Sequence, residues 1–185
     1  MGERDFHPLS ANFLLAQWLP SHWANYAAGK RNAGQAVDPA DWRIARTIFV
    51  ADDERVAQRY GRQDANSPYR YYWRMMGKKM RFSGRQIVFK KDPAQDDAEL
   101  TDDYLVERLV LCGTVNHVID QILALREEAG EFGEIVYAGM DWVDRQLARR
   151  SMELMATQVM PRVNRAIEQS RSRNDRLDVP QETRP

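Results

Sequence analysis

Two short loops carry the side chains best placed to line a ligand pocket. One follows the expected end of a strand at Leu9-Ser10, and the other follows a strand candidate over 134–138. Ligands of parallel α/β proteins bind at the carboxyl ends of the strands. The competing interpretation is a pair of ordinary loops, in which Asp141 or Asp144 caps the last helix. The candidate binding residues are the uncharged side chains of the two loops: Ser10, Asn12, Phe13, Met140 and Trp142.

Metal and nucleophile chemistry lack the residue spacing that they need. The three histidines are far apart and no HxxxH or HExxH pattern occurs, so we predict no metal site. The phosphate-binding patterns GxGxxG and GxxxxGKS/T and the hydrolase pattern GxSxG are absent. The single cysteine, Cys112, follows an apolar run at 109–111, which favours inert burial over a nucleophilic role. The residues alone therefore identify no catalytic group.

The sharpest local feature is a dense basic and aromatic stretch. Eight cations between 70 and 91 alternate with aromatic rings, a pattern that can neutralise and stack a nucleic acid. Seven acidic residues follow directly between 92 and 107. We therefore predict a self-compensating segment and no nucleic-acid partner. An anion site that uses one or two of the cations is the alternative.

An α/β framework with parallel strands must position the two loops. Residues 42–51 are rich in β-branched and aromatic types and end in a continuous apolar run, which predicts a strand buried on both faces. Asp52 is a good N-cap for a helix that reaches Gly61, so a strand leads directly into a helix. A second strand is predicted at 134–138, between two helices. Such alternation is typical of α/β proteins.

Helices are expected over most of the remaining chain. Pro161 is expected to bend or divide the last of them. Residues 87–89 form a candidate short strand. Residues 169–185 contain almost nothing apolar, so we predict a disordered tail there. Apolar periodicity and end signals place the helices at 21–32, from Ser67-Pro68 to about Gly84, at 101–111, at 114–129 and at 144–170.

Length and composition restrict the class of protein. The chain has 185 residues, with 27 basic and 27 acidic side chains, which predicts one domain without a surface built for nucleic acid or an anionic membrane. No apolar run approaches the roughly 18 residues of a membrane span, so no membrane partner is predicted. A lone cysteine favours a reducing, cytoplasmic setting. A complete (β/α)8 barrel needs about 250 residues and is longer than this chain.

Two stretches of the chain resemble one known family. They resemble the C-terminal part of the luciferase-like flavin-dependent monooxygenases, the family of bacterial luciferase (alkanal monooxygenase), over about residues 9–167. The residues that carry the resemblance are Leu9-Ser10-Ala11-Asn12-Phe13, Ser21-His22-Trp23 and Asp41-Trp42-Arg43 in the first stretch, and Gly113-Thr114, Phe132-Gly133, Asp141-Trp142 and Arg150-Ser151-Met152-Glu153-Leu154-Met155 in the second.

The resemblance implies part of a (β/α)8 barrel. Leu9-Ser10 would end the sixth strand, 42–51 would be the seventh strand and 134–138 the eighth. Residues 65–107 would form the insertion that this family carries after its seventh strand. The expected fold class is thus a helix-rich α/β protein, a partial TIM barrel over 1–168, followed by the tail.

The resemblance also implies a cofactor and a reaction. The family uses reduced FMN, or F420 in some branches, and most FMN members transfer one oxygen atom of O2 to an organic substrate. Ser10, Asn12 and Phe13 would lie beside the flavin ring, and Met140 and Trp142 would lie at the mouth of the last strand. The family's main phosphate-binding and catalytic segments lie upstream of this region, so no catalytic residue is carried over.

Two functions from different classes remain open. The first is the C-terminal portion or subunit of a flavin-dependent monooxygenase, with a flavin, a small organic substrate and a flavin reductase as partners. The second is a non-catalytic α/β scaffold that acts through association. Unpaired strand edges favour association, either as a homo-oligomer or with a partner chain that supplies the rest of the barrel.

Overall fold

The computed structural model describes residues 2–4 and 6–177, with side chains described up to residue 173. Its strands are β1 (Leu9–Ser10), β2 (Arg43–Val50), β3 (Val110–Gly113) and β4 (Glu134–Ala138). Its α-helices are α1 (Leu19–Asn32), α2 (Glu54–Gln58), α3 (Pro68–Phe82), α4 (Asp102–Leu109), α5 (Val115–Ala129), α6 (Arg145–Leu154) and α7 (Met160–Leu177).

The four strands are parallel, and β2 lies between the others. Arg43 and Ile44 pair with both β1 and β4, and Thr47 pairs with both β3 and β4. Therefore β4 lies along one edge of β2. Along the other edge, β1 pairs with the first part of β2 and β3 pairs with its last part. The strands predicted at 42–51 and 134–138 are confirmed, the second residue for residue.

Helices cover one face of this sheet. Ile48 and Val50 pack against α5, α6 and α7, and Trp42 and Ile44 pack against the C-terminal part of α5. All four side chains are buried, with exposures of 1% or less. This apolar contact between strand and helices is the main force that holds the two layers together.

The opposite face is covered only near the carboxyl ends of the strands. Side chains alternate along a strand, so Thr47 and Phe49 point to this face. The segment between β2 and β3, called the insertion below, packs over Phe49. Towards the amino ends the face stays open, since Leu9 is 55% and Val136 is 37% exposed.

The insertion has its own buried core. Ser67 begins α3 as predicted, because its hydroxyl accepts hydrogen bonds from two backbone amides of the first turn. Tyr69 and Trp73 of α3 are completely buried against α4 and the end of β2. Ion pairs such as Lys90–Asp97 join the basic part of the insertion to its acidic part. This pairing is what a self-compensating segment predicts.

Two predictions within the insertion are wrong. Gln86–Phe89 is a 3-10 helix and not a strand, because Phe89 turns inwards to pack edge-on against Trp73. The helix predicted to reach residue 111 ends at Leu109, and the next four residues form β3. Pairing with the buried end of β2 stabilises these four residues more than a further turn of helix would.

The last helical stretch is divided just before Pro161. A π-helical segment, Met155–Val159, separates α6 from α7. Proline lacks an N–H and crowds the preceding turn, and a wider turn accommodates both effects. Residues 169–177 are helical where the sequence predicts disorder; Arg171 there pairs with Glu131, and 178–185 lie outside the described residues. Within the described part of the chain, no helix is both long and apolar enough to cross a membrane.

Candidate functional site

A cluster of three uncharged polar side chains lies beyond the carboxyl end of β1, beside the second half of β2. Nδ2 of Asn12 donates hydrogen bonds to Oγ1 of Thr47 at 3.1 Å and to the hydroxyl of Tyr72 at 3.3 Å. The Tyr72 hydroxyl also lies 3.4 Å from Oδ1 of Asn12. The loop after β1, strand β2 and helix α3 each supply one residue, so only the folded chain forms this cluster, called the Asn12 cluster below.

Thr47 fixes the position of the Asn12 cluster in the sheet. It is completely buried and pairs with Ala138, the last residue of β4, and with Val110, the first residue of β3. The loops that follow β1 and β4 therefore reach the sheet at the same level. This is the place where the sequence predicts a ligand site.

Ser10 has a different role from Asn12, because its side chain points to the helix-covered face. Its hydroxyl accepts a hydrogen bond from Nε1 of Trp42 at 2.9 Å and lies 3.3 Å from Nδ1 of His22. Alternation along β1 explains the direction, since Leu9 takes the opposite face. The structure thus uses the Ser10 hydroxyl to join β1 to α1 and does not bring it together with the Asn12 cluster.

Phe13 and Met140 give the Asn12 cluster apolar surroundings. Phe13 is half-buried and packs against both the insertion core and the core beside α1. Met140 is buried in the insertion core together with Tyr69, whose hydroxyl donates a hydrogen bond to the carbonyl of Ile48 at 3.3 Å. Burial raises the pKa of Tyr69 far above its ordinary value, so this phenol stays neutral.

Trp142 lies farther out than the other four candidates. It is 54% exposed and lines a cavity of about 430 Å³ together with Tyr71 and Arg74 of α3. The Arg74 guanidinium lies over the Tyr71 ring at 5.8 Å. Consecutive helical residues point about 100° apart. Trp142 therefore lies on a different side of α3 from Asn12, which contacts Tyr72.

Contacts with α6 hold the carboxyl end of β2 in place. Arg150 binds both carboxylate oxygens of Asp52, at 2.8 and 2.7 Å, and this hydrogen bonding lowers the pKa of Asp52. The Ser151 hydroxyl accepts a hydrogen bond from the backbone amide of Val50 at 2.8 Å. The block that begins with Arg150 and Ser151 thus fixes the strand that carries Thr47.

Cys112 is packed tightly and lies on β3. A Cβ atom added to Gly61 would lie 3.1 Å from its sulfur, and the thiol is 1% exposed. Burial raises the pKa of Cys112 to about 11, although Arg62 acts in the opposite direction. This agrees with the inert burial predicted from sequence. Among the described residues, no group of three His, Cys, Asp or Glu side chains is arranged to hold a metal ion.

We expect Cys112 to react slowly with a thiol reagent in the native protein. A pKa of about 11 instead of 9.0 leaves roughly a hundredfold less thiolate at pH 8, and burial restricts access further. The measurement is the rate of reaction with a disulfide reagent at pH 8, with and without denaturant. Equal rates in the two conditions would contradict the described environment of the thiol.

Sequence reasoning did not find two members of the Asn12 cluster. Thr47 is one polar residue within a buried strand. Its contact with Asn12 depends on the pairing of β1 with β2, which the local sequence does not reveal. Tyr72 carries a packing signal, because it shares a helical face with the buried Tyr69 and Trp73. The available signal was the hydroxyl itself, since a tyrosine at the edge of a packing face needs a polar partner.

Comparison with known proteins identifies the fold and its relatives. The chain is 32% identical over 160 residues to 4-hydroxyprotoasukamycin monooxygenase of Streptomyces nodosus subsp. asukaensis, a match that covers 86% of this chain and 39% of the relative. It is 28% identical over 164 residues to 3,6-diketocamphane 1,6-monooxygenase of Pseudomonas putida, covering 88% and 42%. No protein-family model matches the chain.

A solved structure agrees with these relatives. The oxygenating constituent of 3,6-diketocamphane monooxygenase from Pseudomonas putida, a type II Baeyer-Villiger monooxygenase in complex with FMN, superposes with a TM-score of 0.74 at 28% identity. The match covers 86% of this chain and 43% of that structure. The chain is similar to the C-terminal portion of luciferase-like flavin-dependent monooxygenases. The resemblance drawn from the sequence is therefore confirmed.

The comparison also confirms the fold class. The chain spans about two fifths of the length of these relatives, so its parallel sheet and helices form part of a luciferase-like barrel. This coverage is consistent with the C-terminal portion that the sequence indicates. The open face beside Leu9 and Val136 is then the inner face of a luciferase-like barrel.

Proposed function

We propose that the chain is part of a monooxygenase that uses reduced FMN and O2 on an organic substrate, and that it forms one wall of the flavin site. The observation that carries this proposal is the likeness to a monooxygenase structure that contains FMN, at 28% identity over 86% of the chain. Identity at this level over most of the chain supports a common cofactor as well as a common fold.

The chemistry of the strand ends fits a flavin ring. The edge of the ring offers N–H donors and carbonyl acceptors, which uncharged amide and hydroxyl groups can match. The half-buried Asn12 provides such groups, the completely buried Thr47 supports it from within the sheet, and Phe13 and Met140 provide apolar surroundings. None of the predicted site residues is charged, so we assign them to the ring. The phosphate group we assign to parts of the fold outside this chain.

Each residue then has a defined task. Reduced FMN supplies the electrons that activate O2 when it is bound. Asn12 orients the ring through its carboxamide, and Phe13 and Met140 keep water away from it. Trp142 lies on a different side of α3, so we assign it no contact with the ring. We assign no proton transfer to any residue of this chain.

We further propose the substrate class and the partners. One relative acts on a diketocamphane, which makes a compact, apolar cyclic ketone our first candidate substrate. A flavin reductase would supply the reduced FMN, and the rest of the barrel, from a second chain or another segment, would cover the open face that exposes Leu9 and Val136. The lone Cys112 supports work in the reducing cytoplasm.

Titration with FMN tests the proposal. We expect Asn12→Ala to weaken FMN binding about tenfold, the usual effect of losing one or two hydrogen bonds to a ligand. Asn164→Ala is the matched control, because Asn164 is an exposed residue of α7. Binding is measured by quenching of flavin fluorescence, and F420 is titrated in parallel to decide between the two cofactors.

The same experiment can overturn the proposal. If the wild-type chain binds neither flavin, alone or mixed with the remaining barrel segments of a relative, its part in a flavin site is refuted. A chain that binds no flavin but elutes as a stable oligomer would instead favour the non-catalytic scaffold.

A further inference from the structure

We propose that Tyr72, which belongs to the insertion, is a positioning residue that holds the Asn12 carboxamide in one orientation. The inference rests on the proposed function, because Asn12 is the polar side chain that we assign to the flavin ring. Tyr72 would then connect the packing of the insertion to the geometry of the ligand site.

The hydrogen bonds of Asn12 carry this inference. Thr47 contacts only the nitrogen of the carboxamide, at 3.1 Å. Tyr72 is within hydrogen-bond distance of both the nitrogen, at 3.3 Å, and the oxygen, at 3.4 Å. The last torsion of asparagine is broad, so a single bond leaves the amide plane free to turn. Contact with both atoms is what fixes the plane.

Tyr72 is itself held rigidly. Its ring packs edge-on against Trp73 with centroids 5.1 Å apart, and Trp73 is completely buried. The half-buried Tyr72 ring lies at the edge of the insertion core, and its hydroxyl projects to the loop after β1. The hydroxyl is therefore a fixed point to which a residue of the loop after β1 is attached.

Both amide hydrogens of Asn12 are used within the cluster, by Thr47 and Tyr72. The carbonyl oxygen keeps acceptor capacity, because it has two lone pairs and only one contact at 3.4 Å. We infer that Tyr72 presents Asn12 to a ligand as a hydrogen-bond acceptor. The group recognised would be an N–H donor at the edge of a planar ring.

The test begins without any ligand. In ¹⁵N-labelled protein, the Asn12 side-chain amide signals are identified by their loss in Asn12→Ala. We expect Tyr72→Phe to shift these signals and speed their exchange with water. Tyr104→Phe is the matched control, since it removes another insertion hydroxyl, one that donates to the Phe89 carbonyl at 2.8 Å. Asn12 signals that are the same in Tyr72→Phe and wild type would overturn the proposal.

A second arm asks whether Tyr72 acts through Asn12. We expect Tyr72→Phe to weaken FMN binding about three- to tenfold, with an unchanged midpoint of unfolding, and to have no further effect in the Asn12→Ala background. An equal loss in both backgrounds would overturn the proposal, because Tyr72 would then act on the ligand directly. If the wild-type chain binds no flavin, alone or mixed with the remaining barrel segments of a relative, the proposed function fails, while the amide signals still decide the orientation of Asn12.

Discussion

Replacing Gly133 by alanine is expected to lower the free energy of unfolding by about 3 kcal/mol or more, the upper range for overpacking. A Cβ atom at this position would lie 2.1 Å from the carbonyl oxygen of Ala40 and 2.7 Å from its carbonyl carbon. Both are backbone atoms, so no side chain can rotate away. The strand or the facing turn would have to move.

Little movement is available around Gly133. Its amide donates to the carbonyl of Trp42 at 2.9 Å, which starts the pairing of β4 with β2. The facing turn, Pro39–Asp41, is held by the proline ring and by the Asp38 carboxylate, which accepts from the amide of Ala40. A shift of either segment would disturb the buried Trp42 beneath them.

The measurement for Gly133→Ala is denaturant unfolding followed by circular dichroism. Gly34→Ala is the control, because Gly34 has a positive φ of 67° but nothing within 4 Å of an added Cβ. The free energy of unfolding of that variant falls only by the strain of its backbone conformation, about 1 kcal/mol. A loss for Gly133→Ala no larger than that of Gly34→Ala would contradict the close packing described.

The sequence was most informative where local pattern and tertiary packing agree. Residues 42–51 contain an apolar run that only a strand buried on both faces would require, and β2 forms there. Pro161 correctly predicted the division of the last helix, and Ser67 correctly predicted the start of α3. Both effects are local, because the missing N–H of proline and the capping hydroxyl of serine act within one turn of helix. The glycine of the Phe132-Gly133 pair, which is part of the family resemblance, is explained by the close backbone contact with Ala40.

The sequence was least informative where distant segments choose between two local options. The apolar residues at 109–112 fit a helix face and a short buried strand equally well, and pairing with β2 decides for the strand. The candidate site shows the same effect. Position in the chain indicated Asn12, but only strand alternation turns Ser10 away, and only the packing of the insertion brings Tyr72 within reach.

Ser151→Ala is the second substitution with a large expected effect. The Ser151 side chain is completely buried, accepts a hydrogen bond from the Val50 amide at 2.8 Å and lies 3.0 Å from the Tyr137 hydroxyl. Alanine leaves the buried Val50 amide and the half-buried Tyr137 hydroxyl without this bond. An unsatisfied buried group costs about 1–3 kcal/mol, so we expect a loss of about 2–3 kcal/mol in unfolding free energy.

A double-mutant cycle with Tyr137→Phe separates the two bonds of Ser151. If the hydroxyl pair contributes, Tyr137→Phe will cost less in the Ser151→Ala background than in wild type, because its partner is already gone. Ser172→Ala is the matched control, since Ser172 is exposed on α7 and its hydroxyl donates to the Glu168 carbonyl within the same helix. A Ser151→Ala loss as small as that of Ser172→Ala would contradict the hydrogen bond described between α6 and β2.

This hydrogen bond also affects the candidate site. Strand β2 carries Thr47, so a less firmly held strand end would also weaken the position of the partner to which Asn12 donates.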